Sequence, residues 1–258
     1  MRYAILPLMT ALMFFLSSLT PGEGLAQNTE TDTLSCIPNY LELRKLRGMG
    51  QEAADAQEEA WTNARIEAIN SWQKEHEADI NNARAKFCLA SLYSDLYPES
   101  TDAEKSRSLE LLEEAAALGY LPAMTSLGAA YLDGFYGLDP DLSRGERLVR
   151  NAANGGYSSA NLHLGLMYCR GDIIQDNERC YRRLKLAWVL AREQNDEFMI
   201  AWTHQYEPMI EGYGAELSTI QKRKADQWIE DWEPSPPSAQ QNFGTGRLQP
   251  SSRFQKRP

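Results

Sequence analysis

Apolar residues in the middle of the chain recur at helical steps. Ala123, Leu127 and Tyr131 stand four residues apart, and so do Ala160, Leu164 and Tyr168. Positions i, i+4 and i+8 share one face of an α-helix, so each triplet predicts a helix with a buried stripe. Gly128 and Gly165 follow the central Leu of each triplet. A glycine inside a helix costs about 1 kcal/mol against alanine, and close approach of a second helix is the reason to keep it there. Gly134 and Gly171 come after the tyrosines at the same offset and predict left-handed helix ends.

A second helix is predicted after each of these. Asp141 and Asp176 are suited to accept the free N–H groups at a helix start and to face the positive end of its dipole. After Asp141 come Gly145, the apolar pair Leu148-Val149, then Ala152-Ala153 and a stop at Gly156. Ser108, Leu111-Leu112, Ala115-Ala116 and Gly119 repeat that order upstream, and Pro122 opens the next helix where no N–H is needed. Ala85, Leu89, Ala90 and Tyr93 form a looser first copy, whose loop Pro98–Thr101 lacks the glycine. In the last copy Cys180 takes the small position, while Leu186, Trp188, Leu190 and Ala191 suggest a second helix out of register. Self-similarity at such a period predicts about three stacked helix pairs.

The order Ala-x-x-x-Leu-Gly-x-x-Tyr-x-x-Gly, then Asp, a small residue, Ala-Ala and Gly resembles the Sel-one-like repeat. That family belongs to the tetratricopeptide-like α/α solenoids. The match spans about residues 83–195. It is specific in the middle unit, good in the first helix of the last unit, and weak in the first unit. The resemblance implies an all-α, right-handed superhelix and a role in scaffolding or partner recognition, generally not catalysis. Cysteine-rich bacterial members are exported and disulfide-bonded. A penicillin-binding or slow β-lactamase activity is associated with that branch, and no nucleophile motif is expected to carry it here.

Helical caps are expected at both ends. Ala53, Ala56, Ala60, Trp61, Ala64, Ile66, Ile69 and Trp72 recur among charges over residues 51–79, which predicts an amphipathic helix on the first repeat. Residues 198–213 read as a loose helical stretch. Leu217, Ile220, Lys224, Trp228 and Trp232 mark a last helix before Pro234. Polar-faced caps keep a solenoid soluble.

Outside this body the chain changes character. Arg2, an uncharged apolar run over residues 3–19, Pro21 and the small residues Gly24 and Ala26 fit a cleaved signal peptide, with a mature start at Gln27. No later segment is expected to span a membrane. Residues 234–258 carry Arg247, Arg253, Lys256 and Arg257 and no acid, among Pro, Ser and Gln. That composition cannot bury enough apolar surface to offset ordering, so a disordered, solubilising basic tail is expected. The expected organisation is therefore a signal peptide (1–26), an N-terminal segment and capping helix (27–82), repeats (83–195), capping helices (196–233) and the tail (234–258). The whole chain has net charge −10, and taking away the tail's four positive charges leaves −14 on residues 27–233. Such a body would repel nucleic-acid phosphates.

An even count of cysteines in an exported chain favours disulfides. Cys169 at the end of one helix and Cys180 one turn into the next flank the same loop, within disulfide reach in an antiparallel pair. Cys36 and Cys88 then pair by elimination; four free thiols or a metal site are the alternatives. No C-x-x-C spacing supports zinc. His76 lies among Glu75, Glu77 and Asp79, which reads as a solvated helix face; His163 and His204 read as packed residues. No catalytic, cofactor or metal residues are assigned.

The functional expectation is an exported scaffold, periplasmic or secreted, that binds a protein or peptide through its concave groove. The groove candidates are Met124, Ser126, Tyr131, Asn161, His163 and Tyr168. An envelope enzyme, a cell-wall-binding protein or a membrane-surface spacer are the rivals.

Overall fold

A computed structural model of the chain describes Cys36 and residues 51–94, 101–194 and 196–235. The expected signal peptide, most of segment 27–50, part of the first loop and the tail beyond residue 235 lie outside the described residues. The described chain forms ten α-helices: α1 (Gln51–Ala78), α2 (Ala83–Leu92), α3 (Asp102–Ala117), α4 (Leu121–Asp133), α5 (Leu142–Asn154), α6 (Ser158–Arg170), α7 (Asn177–Glu193), α8 (Glu197–Gln205), α9 (Glu207–Glu216) and α10 (Thr219–Glu230). It is an α/α solenoid in which α2–α3, α4–α5 and α6–α7 are successive pairs and each pair packs on the next.

Caps set the helix boundaries. Thr101 and Glu104 form a capping box at the start of α3, and Ser218 and Gln221 form one at the start of α10. Asp141 and Asp176 accept the N–H groups of Arg144 and Arg179, as expected for N-caps. Gly134 and Gly171 end α4 and α6 with φ of 77° and 80°, where a side chain would be strained.

Within the middle pair the two backbones nearly touch. A Cβ on Gly128 would lie 3.0 Å from the Gly145 carbonyl oxygen, and one on Gly145 would lie 2.8 Å from that of Gly128. In the last pair a Cβ on Gly165 would meet the Leu184 side chain at 2.7 Å. In the first pair Ser108 stands at the Gly145 position and its hydroxyl donates to the Ala90 carbonyl.

The loose helical stretch expected over residues 198–213 is two helices: α8 ends at Gln205 and α9 begins at Glu207 with Pro208 in its first turn, where proline has no N–H to continue the ladder. One expectation about the C-terminal half needs correction. Helix α7 keeps the repeat register. Leu184 and Ala187 are buried where Val149 and Ala152 stand in α5, and Arg183 stands where Leu148 does. The arginine in an apolar slot hides the pattern in the sequence.

The flanking helices seal the ends. The Arg65 guanidinium of α1 donates to the Leu92 carbonyl at the end of α2 at 2.6 and 2.9 Å. Trp72 donates to the Cys36 carbonyl at 2.8 Å. At the other end, Lys185 and the Tyr181 hydroxyl both reach Asp226 of α10, at 2.6 and 2.7 Å. The chain then turns back, and the Ser235 N–H donates to the Asn154 carbonyl at the end of α5 at 2.8 Å.

Candidate functional site

The tyrosines of the repeat are structural members of a recurring turn. In the middle pair the Asp141 N–H donates to the Tyr131 carbonyl at 2.8 Å, which closes the loop. The Asp141 carboxylate accepts the Arg144 N–H at 2.9 Å, and the Arg144 guanidinium lies 4.2 Å from the Tyr131 ring centroid. In the last pair Asp176 N–H reaches the Tyr168 carbonyl at 3.2 Å, Asp176 caps Arg179 at 2.8 Å, and Arg179 lies 5.5 Å from the Tyr168 centroid. One residue set thus closes the loop, caps the helix and covers the ring. Burial pushes the Tyr131 phenol up to about 12, with the Glu113 carboxylate adding to the effect and Arg144 opposing it. Glu113, 3.4 Å from that hydroxyl, is itself raised by its own burial.

All six groove candidates are buried: Met124, Ser126, Tyr131, Asn161, His163 and Tyr168. They line no open groove, and that expectation is corrected. Helix α6 is packed against α4, α5, α7 and α8, so its polar residues face other helices. The Asn161 amide donates to the carbonyls of Ala153 (2.8 Å) and Tyr157 (3.0 Å), and its oxygen accepts from Arg183 at 2.8 Å. His163 is fully buried, and neither ring nitrogen has a hydrogen-bond partner. Burial, reinforced by the Arg170 charge, lowers its pKa to about 3, so it is a neutral core residue near pH 7.

The four cysteines form two disulfides, Cys36–Cys88 with Cα atoms 5.2 Å apart and Cys169–Cys180 at 5.0 Å. The first clips the N-terminal segment to α2, and the second joins α6 to α7. His204 is exposed and lies 2.8 Å from Glu207, so it is a surface residue and not the packed one expected. His76 is half-buried on α1, and its pKa is lowered by burial and then by the Lys86 and Arg107 charges. Among the described residues no group of three or more His, Cys, Asp or Glu is placed to hold a metal ion. No described helix is long and apolar enough to cross a membrane. A Ser-x-x-Lys tetrapeptide does occur, contrary to expectation, as Ser71-Trp72-Gln73-Lys74. It lies within α1 with Ser71 and Lys74 both exposed, unlike a nucleophile that must be shielded and activated.

Two surface features escaped the sequence reading. Phe135, Leu142 and Ile174 are exposed apolar residues in or beside the loops inside the middle and last pairs. The other feature joins the partly exposed Arg182 and the buried Arg183 of α7 to Trp228 of α10. The Arg182-Arg183 doublet, falling where the repeat asks for an apolar residue, was the visible signal.

These features define an α/α repeat protein whose interior is occupied by its own helices. A solved structure gives the type more closely. The fold resembles a crystal structure described as a protective antigen present in uropathogenic Escherichia coli strains and displaying an SLR fold. The TM-score is 0.50 at 19% identity, over 94% of this chain and 56% of that one. The protein therefore has the Sel-one-like repeat fold, and it spans little more than half the length of that structure's chain. No protein-family model matches the chain. No curated protein matches it.

Proposed function

We propose that the protein is an exported repeat scaffold that binds a protein or peptide partner in the cell envelope. The observation that carries this reading is a repeat solenoid clipped by two disulfides. Repeat stacks present extended surfaces for partners, and structural disulfides persist in oxidising compartments. The exposed Phe135, Leu142 and Ile174 support it, since apolar anchors on successive loops suit an elongated partner. The partner meets such exposed residues and not the six buried candidates. Crosslinking the protein in its native envelope should recover a partner above background; recovering none rejects the binding role. Fractionation should find it outside the cytoplasm with its cysteines oxidised, and a cytoplasmic, reduced protein rejects export.

A further inference from the structure

Two arginines gather at one tryptophan, against the acidic character of the body. Arg182 and Arg183 lie 4.5 and 5.1 Å from the Trp228 ring centroid. Arg183 is only 7% exposed, and its pKa falls to about 10 through burial and then the charges of Arg182 and Arg150. Arg150 has a carboxylate partner in Glu146. Arg183 instead ends on two neutral amide oxygens, Asn161 at 2.8 Å and Asn154 at 2.9 Å. Arg182 pairs with no carboxylate among the described residues, and its buried Nε has no acceptor.

Helix packing does not require this arrangement, because the middle pair carries Leu148 where the last carries Arg183. Arg182 is only partly buried, and a guanidinium without a carboxylate partner is suited to take one from solvent. Guanidinium forks match the two oxygens of a carboxylate, and an aromatic ring beside them holds the planar groups in place. A polyanion would be repelled by the −14 body, whereas a single carboxylate is not.

We propose that Arg182, Arg183, Asn154 and Trp228 form a receptor for a single side-chain carboxylate of a peptide segment. This rests on the scaffold reading above and names the chemistry of its partner. The guanidiniums take the carboxylate, and the indole face receives the adjoining apolar residue.

The test uses mature protein and a short, labelled, C-terminally amidated peptide with one Glu followed by Leu among neutral residues, read by fluorescence anisotropy. The peptide should bind, and its Gln-for-Glu counterpart should not. Arg182→Gln should weaken binding at least about tenfold, equivalent to about 1.4 kcal/mol, without lowering the thermal midpoint. Arg183→Leu, which installs the middle pair's residue, should stay folded and also lose binding. Equal binding of both peptides, no binding of either, or undiminished binding by Arg182→Gln would overturn the proposal. So would displacement of the peptide by anionic phosphatidylglycerol vesicles. If envelope crosslinking still recovers a partner with Arg182→Gln, this receptor fails while the scaffold reading stands.

Discussion

In the middle helix pair, Leu132 of α4 lies 2.7 Å from where a Cβ on Gly145 would stand. In the last pair the corresponding residues are Cys169 and Cys180, and a disulfide joins them. Other interior positions change with them, three of them to larger polar groups or from apolar to polar. Met124, Ser126 and Leu148 of the middle pair correspond to Asn161, His163 and Arg183, all buried. The middle pair relies on backbone contact and apolar packing. The last pair carries an amide, an imidazole and a guanidinium inside, and adds a covalent link. The same crossing therefore tolerates polar residues that would ordinarily weaken it, provided something else holds the helices together.

Exchanging residues between the two pairs tests this difference. The largest effect concerns His163. Its folded pKa of about 3 lies below the ordinary 6.5. Below pH 6.5 the unfolded chain therefore binds a proton that the native state refuses. Stability should fall as pH drops from 6.5 toward 3, at up to about 1.4 kcal/mol per pH unit, and stop falling on this account below 3. His163→Ser, the middle pair's residue, should flatten that part of the curve in urea titrations at several pH values. An unchanged slope would show that the imidazole is solvated.

Next comes the covalent link. Cys169→Ser with Cys180→Ser should cost about 3 kcal/mol, from the short loop that the bond closes. Cys169→Leu with Cys180→Gly, which copies the middle pair, should cost less in the same calorimetric measurement. If the two double variants are equally unstable, the last pair cannot use the apolar solution.

Crowding in the middle pair ranks third. Gly145→Ala places a methyl 2.8 Å from the Gly128 carbonyl oxygen, and it should destabilise by about 1–3 kcal/mol. A neutral result in chemical denaturation would mean that the helices separate easily. The smallest effect is expected for Arg183→Leu. Relief of the buried charge offsets the lost hydrogen bonds to Asn161 and Asn154, leaving stability within about 1 kcal/mol of the parent.

The pairs themselves were legible because their signals are local. Ala, Leu and Tyr at four-residue steps, glycine at helix ends and Asp at helix starts each act within a turn or two of chain. The groove was not legible, because Ser126, Asn161 and His163 were judged by side-chain polarity. Whether a polar residue faces solvent depends on which helices surround it. Asn161 is satisfied by carbonyls of the preceding helix and turn, and α8 packs on the last pair where a next repeat's first helix would stand. The register of α7 was obscured by one arginine in an apolar position. The carboxylate receptor draws on three separate helices, and only the folded chain brings them together.

The return of Ser235 to the end of α5 changes how the stack should come apart. A linear array can fray from its terminal unit inward, since each repeat touches only its neighbours. Here the last stretch of chain bypasses the last pair, and Trp232 and Pro234 sit against Gly156 at the turn between α5 and α6. Opening the C-terminal end means releasing the middle repeat as well. The described solenoid should therefore melt as one cooperative unit, and hydrogen exchange in α10 should follow that in α5 instead of running ahead of it.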